Sequence, residues 1–354
     1  KDGLQEMLNI AEEVGTKYRI KFGEEKSKIL KVGKRLLMTD FHLGKMKLGY
    51  CEKYKYLGVT FNNKNNMDDH IMETKKKVEA AYNTAMAIAG SVDLKNVELK
   101  VIWELLDTCI VPIITYGWEA INPRLKDHLT PSQLKEIFDN LIKRILVTPT
   151  GTPWELQYME TGILEIGVLT TRNRINYMKK LEQSQSIILK VIRGDEDQGG
   201  WWKTNKKIEQ EILGMNQLPS ERRERNSGEV NKKMLDKLVE MIKEGTNKTK
   251  TKFYLDNKRN LKPGKIAEYM NQCTRMEASL IFKARTRMLK MKCNYKKMFQ
   301  DTKCRMCKEN EETQEHILES CTEIDRQQLG KITTQDIFEE DPGNSKSQPG
   351  NWRK

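Results

Sequence analysis

The hydrophobic pattern changes its period along the chain. Leu4, Leu8, Ile10 and Ala11, followed by Val14 and Gly15, predict a short amphipathic helix that ends at the glycine. Apolar residues then alternate with polar ones or form short runs up to about residue 64, a pattern typical of β-strands. Residues 1–64 are therefore expected to form a helix on a small antiparallel sheet, with strands at residues 18–22, 28–32, 41–50 and 54–61.

From about residue 67 the apolar positions follow a helical period. They predict helices near residues 71–89, 94–110, 131–145, 175–192, 230–242 and 265–298. Pro112 and Pro149 are expected to end the second and third of these, and Thr130 stands where the third needs an N-cap. The predicted fold class is thus α+β, with a small sheet followed by a mostly helical remainder.

Composition divides the helical part further. Polar, glycine-containing stretches between residues 194 and 228 predict a boundary, so residues 65–193 form one helical region and residues 194–300 a helical connector. Residues 326–354 are expected to be a disordered tail.

Charge is distributed unevenly. The chain has 63 Lys and Arg against 50 Asp and Glu, a net charge of +13. Residues 246–300 hold 15 basic and 3 acidic residues, so this segment alone carries +12. Such a concentration predicts a polyanionic partner, RNA or DNA. The face of the last predicted helix opposite its apolar stripe is expected to present Lys283, Arg285, Arg287, Lys290, Lys292, Lys296 and Lys297 to that partner. A merely solvated charged face is the alternative, but no acidic residue lies between Lys283 and Lys297.

Four residues near the C-terminus have the spacing of a metal site: Cys304, Cys307, His316 and Cys321. Two thiolates two residues apart can bind one ion from a tight turn, and a later His and Cys complete a closed tetrahedral sphere typical of structural zinc. Residues 301–325 are therefore predicted to form a zinc knuckle. The alternatives are ordinary buried thiols beside an exposed histidine, or Cys293 as a substitute ligand.

The cysteine content and the lengths of the apolar runs bear on where the protein is located. Seven cysteines in 354 residues do not form a secreted disulfide framework, and no apolar run is long enough to span a membrane. We expect an intracellular protein, nuclear or cytoplasmic, without a membrane partner. Its oligomeric state stays open.

Several short motifs occur in an order that resembles the C-terminal portion of a non-LTR (LINE-type) retrotransposon reverse transcriptase. They are Phe22-Gly23-Glu24-Glu25-Lys26-Ser27-Lys28, Tyr54-Lys55-Tyr56-Leu57-Gly58-Val59, Ile114-Thr115-Tyr116-Gly117-Trp118-Glu119 and the Cys/His motif. The resemblance covers most of residues 1–321. It implies that residues 1–64 are the edge of a polymerase palm, residues 65–193 a thumb, and the knuckle an RNA- or target-DNA-binding element.

The same resemblance implies roles for individual residues. Lys26 would lie near the phosphates of the incoming nucleotide, and Tyr56, Leu57 and Gly58 would form a hairpin against the primer backbone. The Tyr/Phe-x-Asp-Asp turn that binds the catalytic metals is absent from these residues, and Gly23 replaces the usual Asn. The chain alone is therefore expected to be inactive, with Mg²⁺ needed only by an intact parent polymerase.

Two other hypotheses remain. The chain could be a domesticated adaptor in which zinc serves stability and the helices of residues 71–192 bind protein through an exposed apolar patch. Alternatively, the complete protein is an active polymerase of which this sequence is a truncated record.

Overall fold

The computed structural model describes residues 2–33, 39–90, 97–121, 132–184, 187, 200–213, 227–244, 249–258, 264–326 and 333–339. The chain divides into two compact units, Lys1–Lys77 and Val78–Lys354. The fold is mixed α+β, mostly helical with small sheets, which confirms the predicted class. Within the described ranges no helix has both the length and the apolar character required to cross a bilayer.

The first unit combines one helix with six short strands. They are α1 (Asp2–Lys17), β1 (Lys28–Leu30), β2 (His42–Leu43), β3 (Met46–Lys47), β4 (Gly49–Cys51), β5 (Lys53–Tyr56) and β6 (Val59–Asn62). Phe41, Leu43 and Leu48 form its core, against which Leu8 and Ala11 of α1 pack. The spacing of the apolar residues thus predicted the helix, but of those residues only Leu8 and Ala11 pack on this core, whereas Leu4, Ile10 and Val14 are exposed.

The sheet arrangement corrects one expectation. The strands form three two-stranded sheets, of which β2–β3 and β5–β6 are antiparallel, but β1 and β4 are parallel. The connection between β1 and β4 contains the β2–β3 hairpin, so the chain returns in the original direction rather than through a tight turn. Residues 18–22 form no strand and are exposed, because their alternating apolar side chains find no paired strand.

The β5–β6 hairpin has a two-residue turn. Tyr56 pairs with Val59, and both central residues have positive φ, 45° at Leu57 and 83° at Gly58. This is the backbone of a type I′ turn, which suits the twist of a hairpin but strains a residue with a Cβ atom. On β5, Lys53 and Lys55 pair with acidic residues of α2 (Asp68–Ala89), at 3.8 Å to Asp69 and 3.2 Å to Glu73.

The second unit is helical. After the C-terminal part of α2 it contains α3 (Leu99–Leu105), α4 (Val111–Thr115), α5 (Ser132–Ile145), α6 (Trp154–Thr161), α7 (Ile166–Gln183), α8 (Trp201–Leu213), α9 (Ser227–Glu244), α10 (Thr249–Asn257), α11 (Glu268–Gln272) and α12 (Arg275–Arg285). Thr130 and most of the proposed boundary at residues 194–228 lie outside the described residues.

Pro112 does not end the second predicted helix. A π-helical turn at Leu106–Ile110 joins α3 to α4, and Pro112 lies in the first turn of α4. The Val111 backbone N–H bonds to the Leu106 carbonyl, five residues back. At the first turn of a helix the missing N–H of proline leaves no hydrogen bond broken, so the chain continues helically.

The helix predicted over residues 265–298 is interrupted. Thr274 starts α12 with a capping box, because its hydroxyl accepts from the Glu277 N–H and the Glu277 carboxylate accepts from the Thr274 N–H. The helix ends at Arg285, and Arg287 has a φ of 52°. A separate 3₁₀ turn follows at Lys292–Tyr295.

The expected disorder from residue 326 is wrong for residues 333–339, here called the C-terminal strap. The strap contains a 3₁₀ turn at Asp336–Phe338, and the side chains of Ile337 and Phe338 are buried. The Phe338 ring packs edge-on against those of Phe253 and Tyr254 in α10. Residues 327–332 and 340–354 lie outside the described residues.

A buried carboxylate joins these elements. Glu160 on α6 is 0% exposed, and it pairs with Arg285 of α12 at 2.9 Å and with Lys258 at 2.7 Å. The Tyr254 hydroxyl also donates to it. Gly162, at φ 65°, ends α6 so close to the backbone of residues 265–266 that a Cβ atom would lie 2.4 Å from it, which leaves glycine the only residue that fits.

We predict that Glu160→Gln destabilises the fold mainly at neutral pH. Burial alone would raise the pKa of Glu160, but Arg285 and Lys258 lower it to about 2 from the usual 4.5. Because the folded pKa is the lower one, the stabilisation is complete above about pH 4.5 and is lost as the pH falls towards 2. The pKa difference corresponds to about 3 kcal/mol, and loss of the charge should cost about 3–5 kcal/mol at pH 7.

Chemical denaturation of the wild type and the variant between pH 7 and pH 3 measures this difference. Glu268→Gln, an exposed site on α11, is the matched control and should change the free energy of unfolding by less than about 0.5 kcal/mol. A deficit in Glu160→Gln that stays constant down to pH 3 would contradict the assignment.

Candidate metal centre

The four predicted ligands lie together. The Sγ atoms of Cys304, Cys307 and Cys321 and a ring nitrogen of His316 are all within 4.8 Å of one another. The Sγ atoms of Cys304 and Cys321 are 3.8 Å apart, and Cys307 Sγ is 3.3 Å from His316 Nε2. Tetrahedral zinc with ordinary bond lengths requires separations of about 3.8 Å and about 3.5 Å. The cluster could therefore bind a metal ion such as zinc.

A tight turn carries the first two ligands. The Lys308 N–H bonds to the Cys304 carbonyl at 3.0 Å, and Lys308 has a φ of 61°. The Met306 N–H points at Cys304 Sγ, 3.4 Å away. Backbone N–H groups of Asn310 and Glu309 lower the pKa of Cys307 to about 6. The turn thus provides the N–H dipoles that stabilise thiolates, the form that binds metal.

The other two ligands are the first residue of a π-helical turn, His316–Ser320, and the residue directly after it, Cys321. The Cys321 N–H bonds to the His316 carbonyl, five residues back, at 2.7 Å. In an α-helix two such residues would point about 140° apart, whereas the wider π turn brings both towards one side. His316 Nδ1 lies 3.2 Å from Ser320 Oγ, which leaves Nε2 as the nitrogen for the metal. The spacing motif did not identify Ser320.

Polar contacts join the knuckle to the last turn of α12 and to the segment that follows it. Gln314 Nε2 donates to the Ala284 carbonyl at 3.0 Å, and Arg287 pairs with Glu315. Glu312 accepts from the Arg305 guanidinium at 2.6 Å and from the Lys292 N–H at 3.0 Å. The bonds from Arg305 lower the pKa of Glu312 to about 2, although burial opposes this. The pairing of Arg287 with Glu315 was not predicted from the sequence, since Glu315 lies beyond the basic run.

Cys293 is not a member of the cluster. Its sulfur lies 3.8 Å from a Glu311 carboxylate oxygen, and burial and this carboxylate raise its pKa. Among the described residues, the four predicted ligands are the one group of three or more His, Cys, Asp or Glu side chains close enough to share an ion.

The basic segment does not form one exposed face, so that part of the prediction is wrong. Arg285 is 1% exposed and its guanidinium faces Glu160, because α12 turns this position into the core. Arg287 pairs with Glu315 and stacks on Phe253 at 4.1 Å, and Lys292 pairs with Asp301 at 3.0 Å. Lys283 is half-buried and burial lowers its pKa. The exposed members are Lys290, Lys296 and Lys297.

The residues that the resemblance singles out lie in the first unit. Tyr56 and Leu57 are 61% and 73% exposed, and with Gly58 they form the tip of the β5–β6 hairpin. Lys26 is exposed at the end of a 3₁₀ turn (Glu24–Lys26), and the Tyr54 hydroxyl of β5 donates to its carbonyl. Gly23 has ordinary extended backbone, φ −84°, so no positive φ requires glycine there.

We predict that the purified chain binds about one equivalent of zinc, and that Cys304→Ser lowers this ratio strongly because serine is a poor zinc ligand. Cys109→Ser, an exposed cysteine outside the cluster, is the matched control and should leave the ratio unchanged. Elemental analysis measures both. A ratio near zero in the wild type, or equal ratios in the two variants, would contradict the assignment.

Comparison with known proteins adds no family assignment: no protein-family model, no curated protein and no solved structure matches the chain.

Proposed function

We propose that the chain is a nucleic-acid-binding part of a retrotransposon RNA-directed DNA polymerase. It holds template–primer and target nucleic acid and lacks the catalytic aspartates. In this proposal residues 1–64 are the palm edge, residues 65–193 the thumb and residues 301–325 a structural zinc knuckle. The observation that carries the proposal is the exposed, strained tip of the β5–β6 hairpin.

The tip combines exposure with an unfavourable backbone. A leucine at φ 45° is less stable than asparagine or glycine at the same position, and its apolar side chain is exposed to water. The positive φ suits the hairpin twist, but it does not need a leucine, and a side chain that is 73% exposed gains little burial on folding. Residues that carry such strain are commonly found at ligand contacts. Tyr56 beside it offers a ring, and Gly58 permits close approach of a sugar–phosphate backbone.

Exposed cations form the second contact of the proposal. Lys290, Lys296 and Lys297 remain available for phosphates, and the knuckle adds exposed Lys303 and Lys308. Zinc would hold these side chains in place rather than take part in chemistry, since four protein ligands leave no position for water. Arg285 is removed from the proposed contacts because it is buried against Glu160.

The adaptor hypothesis requires an exposed apolar patch on the helices of residues 71–192. In the described part of that range the exposed large apolar residues are widely separated along the sequence: Met72, Ile88, Val101, Tyr116, Val147 and Ile187. Scattered residues of this kind are normal for a protein surface. A helically spaced exposed stripe occurs instead on α1, at Leu4, Met7, Ile10 and Val14. This distribution favours the polymerase hypothesis.

We predict that Leu57→Asn stabilises the protein but weakens its binding to a template–primer duplex. Asparagine tolerates positive φ, so the free energy of unfolding should rise by up to about 1 kcal/mol. Loss of the apolar contact should weaken binding several-fold. Leu4→Asn, the same exchange on helical backbone, is the control and should produce no stabilisation. Denaturation and fluorescence anisotropy measure the two effects, and unchanged anisotropy would contradict the proposed contact.

We also predict that binding depends on salt through the exposed lysines. Lys296→Glu/Lys297→Glu should reduce the slope of log K against log salt by roughly 2, since each lost phosphate contact contributes about one unit. Lys232→Glu/Lys243→Glu on α9 makes the same charge change at exposed sites outside the basic segment and should have a smaller effect. Equal slopes in the two double variants would contradict the proposal, as would nucleotide incorporation by the chain alone with Mg²⁺.

A further inference from the structure

The C-terminal strap ends at the buried Arg285–Glu160 pair. Arg285 Nε donates to the Ile337 carbonyl at 2.7 Å, and Nη2 donates to the Glu339 carbonyl at 3.5 Å. The Phe338 ring lies 5.5 Å from the guanidinium, which also faces the Tyr269 ring at 4.5 Å. Strap carbonyls thus complete the hydrogen bonds of a buried cation. If the strap left, those donors would lose their acceptors inside the core.

The strap begins at the metal centre. The Thr334 N–H and hydroxyl both donate to Glu319 Oε1 at 2.9 Å. Glu319 belongs to the π turn between the ligands His316 and Cys321. Arg326, just after that turn, donates to the carbonyl of Ile317 at 3.1 Å and to that of Cys321. The turn between the two ligands therefore contacts both Arg326, which follows it, and Thr334 of the strap.

We propose that metal binding closes the C-terminal strap over the Arg285–Glu160 pair. The π turn is a rare backbone form. A bound ion would join the side chain of His316, at the start of the turn, to that of Cys321, directly after its end. With the ion bound, the turn presents Glu319 to Thr334 and its carbonyls to Arg326. Without it, the anchor of the strap is lost and the contacts at Arg285 loosen. Because such coupling is reciprocal, the closed strap also strengthens metal binding.

Hydrogen–deuterium exchange of the full chain, with one equivalent of Zn²⁺ or with excess chelator, tests the coupling. The strap amides, which bond within the 3₁₀ turn and to Glu319, should exchange about tenfold or more faster after metal removal. Peptides from α5 should keep their protection, which shows that the second unit remains folded. Unchanged strap exchange, while the knuckle peptides lose protection, would overturn the proposal.

A variant with all four ligands intact tests the coupling without removal of the metal. Glu319→Ala deletes the acceptor for Thr334, and it should raise strap exchange in the presence of Zn²⁺ and weaken zinc affinity by about threefold to tenfold, as expected for one or two lost hydrogen bonds. Glu268→Ala, which removes the same charge at an exposed site on α11 outside the metal centre, is the matched control. Equal zinc affinity and equal strap exchange in the two variants would overturn the proposal. Neither measurement involves nucleic acid, so a negative result would overturn the coupling between metal and strap without bearing on the proposed nucleic-acid binding.

Discussion

The second unit depends on one buried carboxylate. Glu160 requires cationic partners because an isolated charge in the core would be prohibitively costly, and Arg285 and Lys258 come from positions 125 and 98 residues away. This requirement holds α6, α12 and the residue after α10 in one arrangement. Carbonyl groups of the C-terminal strap accept further hydrogen bonds from Arg285. Hydrophobic packing alone tolerates small shifts between helices, whereas a carboxylate with two cations and a phenol has few alternatives.

The sequence predicted the local structure better than the long-range pairing. Apolar periodicity identified α1, α2, α5 and α9, and the Cys/His spacing identified all four candidate ligands, since both signals lie within a few turns of chain. The prediction of one exposed basic face was wrong because acidic residues outside the basic segment neutralise some of its members. Arg285 and Arg287 find theirs at Glu160 and Glu315. The Thr274–Glu277 capping box was readable and would have placed the start of α12 correctly.

Backbone irregularities account for the other differences. Both π turns widen the helix at a point where a regular α-helix would not suit the sequence. One turn precedes Pro112, and the other spans the five-residue step from His316 to Cys321. A 3.6-residue period cannot reveal such turns, because each adds a single residue to an otherwise regular pattern. The parallel pairing of β1 with β4 is similarly invisible locally, since it depends on the path of the intervening hairpin.

The two lysines of β5 face two acids of α2. The spacing of the lysines along the strand nearly equals the spacing of the acids along the helix. Residues two apart on a strand are separated by about 6.6 Å, and residues four apart on a helix by about 6.0 Å. Lys53 and Lys55 can therefore meet Asp69 and Glu73 together only when strand and helix run nearly alongside each other. These exposed pairs contribute little energy, but their joint presence indicates that the hairpin tip projects along the direction of the first turns of α2.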